Sequence, residues 1–164
     1  SSKYKTYTIL GNHELYTGHQ DCVNLLKKAR ISLLLDDYII LNSVVIAGRL
    51  DRNVYYRKSL REIIPADAKN LIVVDHEPDS IDESAENNAL LHLSGHTHAG
   101  QMFPISLVTG FMYKPTGILG KIKNTYFYIT NGAGFWGPPY RIGNIPEVAL
   151  VKLGNNKIIS QQTQ

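Results

Sequence analysis

Short apolar runs that end abruptly in polar residues recur along this 164-residue chain. Runs of this length, bounded by turn-forming residues, are typical of buried strands. Three of them, at residues 7–10, 71–74 and 90–93, lead directly into segments that contain histidine. These segments are Gly11-Asn12-His13-Glu14, Asp75-His76-Glu77-Pro78 and Ser94-Gly95-His96-Thr97-His98. We therefore expect three strands, each followed by a loop that carries candidate ligands.

The spacing of other apolar residues predicts helices between these strands. The longest is expected over residues 19–35, with one face packed on a sheet, and shorter helices are expected over residues 59–64 and 79–88. Asp79 or Ser80 is the expected cap of the last helix, because both side chains can accept a hydrogen bond from the first helical turn.

Further strands complete the predicted α/β pattern. Residues 38–41 and 44–47 are expected to form a hairpin around Asn42-Ser43, a pair suited to a tight turn. Apolar runs predict strands of a second sheet at residues 126–130 and 148–151. A further run predicts an edge strand at residues 157–160. No repeat or linker divides these elements, so residues 1–164 are expected to form one domain.

The histidines supply the strongest chemical signal. Four of the six lie at the predicted strand ends, where ligands bind in open α/β sheets. His96 and His98 lie one residue apart between glycines, which allows the two rings to diverge toward different points. Neutral imidazoles are common transition-metal ligands. His92 is instead expected to be a satisfied residue inside a strand, and His19 to open a helix.

The three histidine segments, taken in order, resemble motifs of a known enzyme family. Gly11-Asn12-His13-Glu14, the strand that ends in Asp75-His76-Glu77-Pro78, and Gly95-His96-Thr97-His98-Ala99-Gly100-Gln101 are similar to the later motifs of the calcineurin-like metallophosphoesterases. The likeness is greatest to the bacterial, often membrane-tethered branch. Residues 46–52 and 131–141 add to the resemblance, which extends over about residues 4–153.

The resemblance implies an α/β fold in which a two-sheet sandwich is flanked by helices. Two earlier motifs of that family, Asp-x-His and Gly-Asp-x-x-Asp, do not occur in this chain. In the family they supply much of one metal site and the carboxylate that bridges both ions. The chain is therefore expected to be the C-terminal portion of a catalytic domain, without its first strands. An unpaired sheet edge would favour association with a second copy of the chain.

Metal ligands are implied by the same resemblance. Asn12, His76 and His96 correspond to ligands of the second metal ion, and His98 corresponds to a ligand of the first. Two divalent transition-metal ions (Mn, Zn or Fe) are implied for the complete enzyme, where they activate a water molecule for in-line attack on a phosphate ester. This chain alone is expected to hold one ion or none.

The resemblance also implies catalytic roles for the pair that follows Asn12. His13 corresponds to the catalytic histidine, which protonates the leaving oxygen. Glu14 stands where the family more usually has aspartate, and we expect its carboxylate to orient the His13 ring.

Candidate substrate contacts lie in the C-terminal half. Arg141 is a candidate partner for a non-bridging phosphate oxygen, and Trp136 is a candidate substrate contact. The segment 102–123 is rich in proline, glycine and bulky apolar residues, so we expect it either to wall the substrate cleft or to cover the sheet. An apolar wall would suit a lipid-linked phosphate.

Composition narrows the classes of function. Cys22 is the only cysteine, which excludes an internal disulfide and disfavours a cysteine-rich zinc site. The net charge of +3 is small and unclustered, and nothing indicates nucleic-acid binding. No apolar run is long enough to span a bilayer, and no signal peptide is visible. The localisation stays open, including membrane association of a longer protein.

Two functions follow from the sequence. The favoured one is a metal-dependent phosphoric ester hydrolase of the phosphodiesterase or pyrophosphatase type, of which this chain holds part of the metal site. The alternative is a metal-binding or interaction module without turnover.

Overall fold

The computed structural model describes residues 4–112, 119–154 and 157–163. Its helices are α1 (Asn12–Thr17), α2 (His19–Lys28), α3 (Leu60–Ile63), α4 (Ile81–Glu86) and α5 (Ile105–Met112), with short 3-10 helices at Pro78–Ser80 and His98–Gly100. The strands are β1 (Tyr7–Thr8), β2 (Ser32–Leu33), β3 (Asp37–Leu41), β4 (Val44–Gly48), β5 (Leu71–Val74), β6 (Leu91–Ser94), β7 (Leu119–Ile122), β8 (Thr125–Ile129), β9 (Val148–Gly154) and β10 (Lys157–Thr163).

A mixed sheet of six strands forms the centre of the fold, in the order β3-β4-β5-β6-β8-β7. The four inner strands are parallel, and β3 and β7 are antiparallel to their neighbours. The expectation that residues 126–130 belong to a second sheet is wrong, because β8 pairs directly with β6. The Thr125 hydroxyl donates to the Ala89 carbonyl (2.6 Å), which ties the start of β8 to the segment that leads into β6.

Alternate residues of the central strands cover the two faces of this sheet, as the period of a strand requires. One face carries Val45, Leu71 and Val73, which pack against Leu60 and Ile63 of α3. The other face carries Ile72 and Leu91, against which Val151 of β9 packs. The β9–β10 antiparallel hairpin thus forms a second layer opposite the helices. The predicted α/β fold with two sheets and flanking helices is confirmed.

The N-terminal segment departs from the predicted helix over residues 19–35. Helix α2 ends at Lys28, none of its residues is buried, and Ser32–Leu33 pairs in parallel with Tyr7–Thr8. Arg30 adopts a positive φ of 58°, which stops the helical geometry. The strand pairing then turns Leu34 into the interior, where it is only 4% exposed.

Local signals predicted the turns and short helices more accurately. Asn42 and Ser43 have φ values of 47° and 69° between β3 and β4, as a two-residue hairpin of the primed type requires. Ser59 precedes α3 and donates through both its backbone N–H (2.8 Å) and its hydroxyl (2.6 Å) to Glu62 Oε2. Ser80 occupies the cap position of α4, but its hydroxyl accepts a hydrogen bond from Arg57 Nη2 instead (2.9 Å).

Candidate metal centre

Loops that follow β1, β5 and β6 meet around a cavity of about 380 Å³. The side chains that line it include most of the predicted site, namely Asn12, His13, His76, His96, His98 and Trp136. His76 and His96 come together because they follow the neighbouring parallel strands β5 and β6 of the central sheet. Asn12, 64 positions before His76, reaches the same cavity from the loop after β1, a strand of the separate β1–β2 sheet.

Asn12, His76 and His96 form a close group in the cavity, which we call the metal-binding cluster after the role that the sequence predicts for it. Asn12 Oδ1 lies 3.0 Å and His96 Nδ1 2.9 Å from His76 Nε2. A neutral imidazole nitrogen carries either one proton or one lone pair, and an amide oxygen carries lone pairs only. One nitrogen cannot make a good hydrogen bond to both neighbours, whereas a divalent cation would satisfy all three atoms. The donor set therefore fits a transition-metal ion.

Burial lowers the pKa values of two histidines that line the cavity. Desolvation lowers the pKa of His76, and the nearby His96 lowers it further. Desolvation likewise lowers the pKa of His98, with a second contribution from the Arg141 charge. Both rings are therefore held in the neutral form, which is the form that binds metal.

The backbone at Gly11 explains how Asn12 reaches His76. A Cβ on Gly11 would lie 2.6 Å from His76 Cε1, closer than real Cβ contacts. Gly11 N also donates to Glu14 Oε2 (2.8 Å), which closes the first turn of α1. The described contact of Glu14 is thus with the turn that positions Asn12 and His13, so its predicted action on the His13 ring stays a prediction.

His13 borders the cavity from the first turn of α1. Its side chain is exposed and lines the same space as the metal-binding cluster. Its backbone carbonyl accepts a hydrogen bond from the Thr17 hydroxyl (2.8 Å), which fixes the residue within α1. The role of His13 as the acid that protonates a leaving oxygen stays a prediction.

His98 lines the same cavity and is held by Arg141. Arg141 Nη2 lies 3.3 Å from His98 Nδ1, and Arg141 Nη1 donates to the His98 carbonyl (3.4 Å). The same guanidinium donates to the carbonyls of Asn131 (2.9 Å), Gly132 (3.0 Å) and Gly134 (2.6 Å). Arg141 therefore acts in this structure as a positioning residue, and its predicted contact with a phosphate oxygen stays a prediction.

A buried carboxylate that the sequence did not single out supports His76. Asp75 Oδ1 accepts from the backbone N–H of His76 (2.8 Å). Asp75 also forms an ion pair with Arg57 (Nη2 to Oδ2, 2.5 Å), whose Nη1 donates to the Leu50 carbonyl (2.7 Å). The only hint in the sequence was the placement of Asp75 directly at the strand end.

Trp136 is held at the cavity by a second residue without a predicted role. Gln101 is only 2% exposed, and its Nε2 donates to the Trp136 carbonyl (2.7 Å). Trp136 N donates back to Gln101 Oε1 (2.6 Å). This reciprocal pair anchors the 131–141 loop to the loop that follows β6.

Other predictions for single residues are also resolved. His92 is fully buried within β6 and pairs with the Ser84 hydroxyl through Nδ1 (2.8 Å), as expected for a core histidine. His19 begins α2. The segment 102–123, expected as a wall or a cover, contains α5 and β7. Its residues 113–118 lie outside the described part of the chain.

The described residues do not complete a conventional metal cage. Among residues 4–112, 119–154 and 157–163, no group of three or more His, Cys, Asp or Glu side chains could hold a metal ion. The metal-binding cluster offers two imidazoles and one amide oxygen, so further ligands would have to come from water, substrate or additional protein groups. In the same part of the chain, no helix has the length and apolar character needed to cross a membrane.

Several known proteins to which this chain is similar are named metallophosphoesterases. The chain is 33% identical over 168 residues to an uncharacterized metallophosphoesterase of Campylobacter jejuni, covering 96% of this chain and 44% of that protein. It is 31% identical over 157 residues to another from Aquifex aeolicus, covering 90% of this chain and 60% of that protein. A Bos taurus transmembrane protein with metallophosphoesterase domain is 26% identical over 177 residues, covering 93% of this chain and 39% of that protein.

No family model and no solved structure matches the chain. The fold is of the α/β class, and histidines from its strand-end loops line one cavity. With its relatives, the chain belongs to the calcineurin-like metallophosphoesterase family. It spans about half the length of the curated relatives that it matches.

Proposed function

We propose that this chain carries part of the catalytic centre of a phosphodiesterase or pyrophosphatase that uses two divalent ions. The observation that supports the proposal most directly is the convergence of Asn12 Oδ1, His76 Nε2 and His96 Nδ1 within 3.0 Å contacts. In this proposal the three atoms bind one ion and His98 binds the other. When bound, such ions polarise a phosphoryl group and make a water molecule nucleophilic.

His13 then acts as the general acid. Its exposed ring borders the cavity, where it can approach the leaving oxygen of a bound ester and donate a proton. Glu14 fixes the turn that presents His13. Arg141 and Asn144 position the His98 loop, since Asn144 Nδ2 donates to the carbonyls of His98 (3.3 Å) and Ala99 (3.1 Å).

The direct test is hydrolysis of an aryl phosphodiester with Mn²⁺ or Zn²⁺ by a longer protein that includes this chain, compared with its His13→Ala and His19→Ala variants. His19 begins α2 and is the matched control. We expect His13→Ala to abolish turnover while the metal stays bound, and His19→Ala to retain both. Loss of metal in His13→Ala would contradict the assignment of His13 as the acid.

A metal-binding module without turnover is the second candidate. It is favoured by the fact that the described residues contain no group of three or more His, Cys, Asp or Glu side chains that could hold an ion. Metal retention without hydrolysis, in this chain and in a longer protein that includes it, would support the module and contradict the hydrolase.

A further inference from the structure

A buried carboxylate lies near the His96 ring, beside the nitrogen that does not take part in the metal-binding cluster. His96 Nδ1 lies 2.9 Å from His76 Nε2, within the cluster. The other ring nitrogen of His96, Nε2, lies 3.9 Å from Glu77 Oε1. Glu77 is only 8% exposed, and the proposed function gives it no role. The His96 ring therefore contacts the metal-binding cluster through one nitrogen and the Glu77 carboxylate through the other.

Glu77 is itself held by an arginine. Arg52 Nε lies 3.2 Å from Glu77 Oε2, and Arg52 Nη1 pairs with the Asp79 carboxylate. Burial raises the pKa of Glu77, whereas the neighbouring His96 and Arg52 lower it. Arg52 thus holds the carboxylate through one oxygen, and the other oxygen faces His96.

The loops that carry Glu77 and His96 are also fixed to each other. Gly95 N donates to the His76 carbonyl (3.0 Å), one residue before each member of the pair. Pro78 follows Glu77 and is buried, and a residue before proline is restricted to extended backbone. Glu77 has such a backbone, with φ of −98° and ψ of 149°. The approach of Glu77 to His96 is therefore set by the backbone as well as by the side chains.

The carboxylate bears on where the single proton of a neutral His96 ring resides. A carboxylate can only accept a hydrogen bond, so it favours the tautomer with the proton on Nε2. That tautomer leaves the lone pair on Nδ1, the atom that belongs to the metal-binding cluster. Histidines that bind metal usually donate their other ring N–H to a carboxylate, a backbone carbonyl or water. The carboxylates of Asp75 and Glu14 accept from backbone N–H groups instead.

We propose that Glu77 is a positioning residue that holds His96 in the tautomer whose Nδ1 can bind a metal ion. The inference rests on the metal-binding cluster of the proposed function. At 3.9 Å the carboxylate acts on the ring through its charge rather than through a short hydrogen bond. The same charge makes Nδ1 a more basic ligand.

The first test is the tautomer of His96 in the metal-free chain, measured by ¹⁵N NMR of the ring at a pH where the imidazoles are neutral. Glu77→Leu removes the acceptor, so the population with the proton on Nδ1 should rise. Glu77→Gln keeps an uncharged acceptor oxygen and should give a smaller rise. Asp79→Asn is the matched control, because it removes the other carboxylate that pairs with Arg52. It should leave the tautomer unchanged.

The second test is the affinity for Zn²⁺, measured by calorimetric titration of the same variants. We expect Glu77→Leu to weaken binding by about 10–100-fold, the range typical of an outer partner of a metal ligand. Glu77→Gln should cause a smaller loss, and Asp79→Asn none. Circular dichroism should show all three variants folded.

Several results would overturn the role of Glu77. They are an unchanged His96 tautomer or an unchanged Zn²⁺ affinity in folded Glu77→Leu, or a loss of affinity as large as that in His76→Ala, which would make Glu77 a ligand. In each of these cases the unaltered chain still binds Zn²⁺, so the proposed function stands. If the unaltered chain bound no Zn²⁺, the metal-binding cluster would be wrong, and this inference would be wrong with it.

Discussion

The two sides of the cavity differ in what faces each histidine. On one side, the polar side-chain contacts of His76 and His96 within the described part of the chain are with each other, with the amide oxygen of Asn12 and with Glu77, whose Oε1 lies 3.9 Å from His96 Nε2. None of these contacts is with a cation. On the other side, His98 faces the guanidinium of Arg141 at 3.3 Å. A guanidinium can only donate, so it occupies the lone pair of His98 Nδ1 in this arrangement. The first side therefore offers ligand atoms to a metal ion. The second side already contacts a cation of the protein itself, the Arg141 guanidinium.

The largest effect is expected from removing the shared ligand of the first side. His76→Ala deletes the nitrogen that both neighbours contact, so metal affinity should fall by more than the roughly 10–100-fold typical of an outer partner. Calorimetric titration with Zn²⁺ measures this, with His19→Ala as the control. An unchanged affinity would show that the metal-binding cluster is not the metal site.

A smaller loss of metal affinity is expected from crowding the His76 ring. Gly11→Ala places a Cβ 2.6 Å from His76 Cε1, although the φ of −106° at Gly11 suits alanine. Overpacking of this kind costs about 1–3 kcal/mol, and metal affinity should fall with stability. Denaturant unfolding and metal titration check both effects. Gly134→Ala, whose Cβ meets nothing within 4 Å, should behave like the unaltered chain.

Disturbing the second side of the cavity should lower the rate of hydrolysis more than it lowers metal binding to the first side. Arg141→Ala removes the donors that hold His98 and three loop carbonyls, so hydrolysis of an aryl phosphodiester should fall by about tenfold. One ion should still bind to the metal-binding cluster. If Arg141→Ala also lost that ion, the two sides would not be independent.

The smallest effect concerns pH. The pKa values of His76 and His98 are lowered on folding, mainly by burial, so the unfolded chain binds protons more readily than the folded one. The metal-free chain should lose stability as the pH falls below about 6.5 and through the lowered folded values. Urea unfolding at several pH values measures this slope. Replacing both histidines with glutamine should flatten it, and a slope unchanged by the replacement would assign it to other groups.

The local sequence predicted some features of the fold and the site but not others. Strand ends and the loops that follow β5 and β6 were readable, because apolar runs and ligand-type residues are adjacent in the chain. Turns such as Asn42-Ser43 were readable for the same reason. The end of α2 could not be read from the local sequence, because the pairing of Ser32–Leu33 with β1 outweighs the helical spacing of the apolar residues there.

Long-range partners were also beyond the reach of the sequence. The pairing of β8 with β6 depends on register across 35 residues, from Leu91 to Tyr126. The contacts of Arg141 with His98 and the loop carbonyls depend on the path of the whole 131–141 loop. Position in the chain identified Arg141 as a cation near phosphate chemistry, but only the fold shows it anchoring a histidine.

The most direct measurement is the number of transition-metal ions retained per chain after incubation with Mn²⁺ or Zn²⁺ and desalting. If Asn12, His76 and His96 form the cation-ready side, elemental analysis should give one ion per chain. That ion should be lost in His76→Ala and retained in His98→Ala. No retained ion, or an ion that survives His76→Ala, would contradict the assignment of this cluster as a metal site.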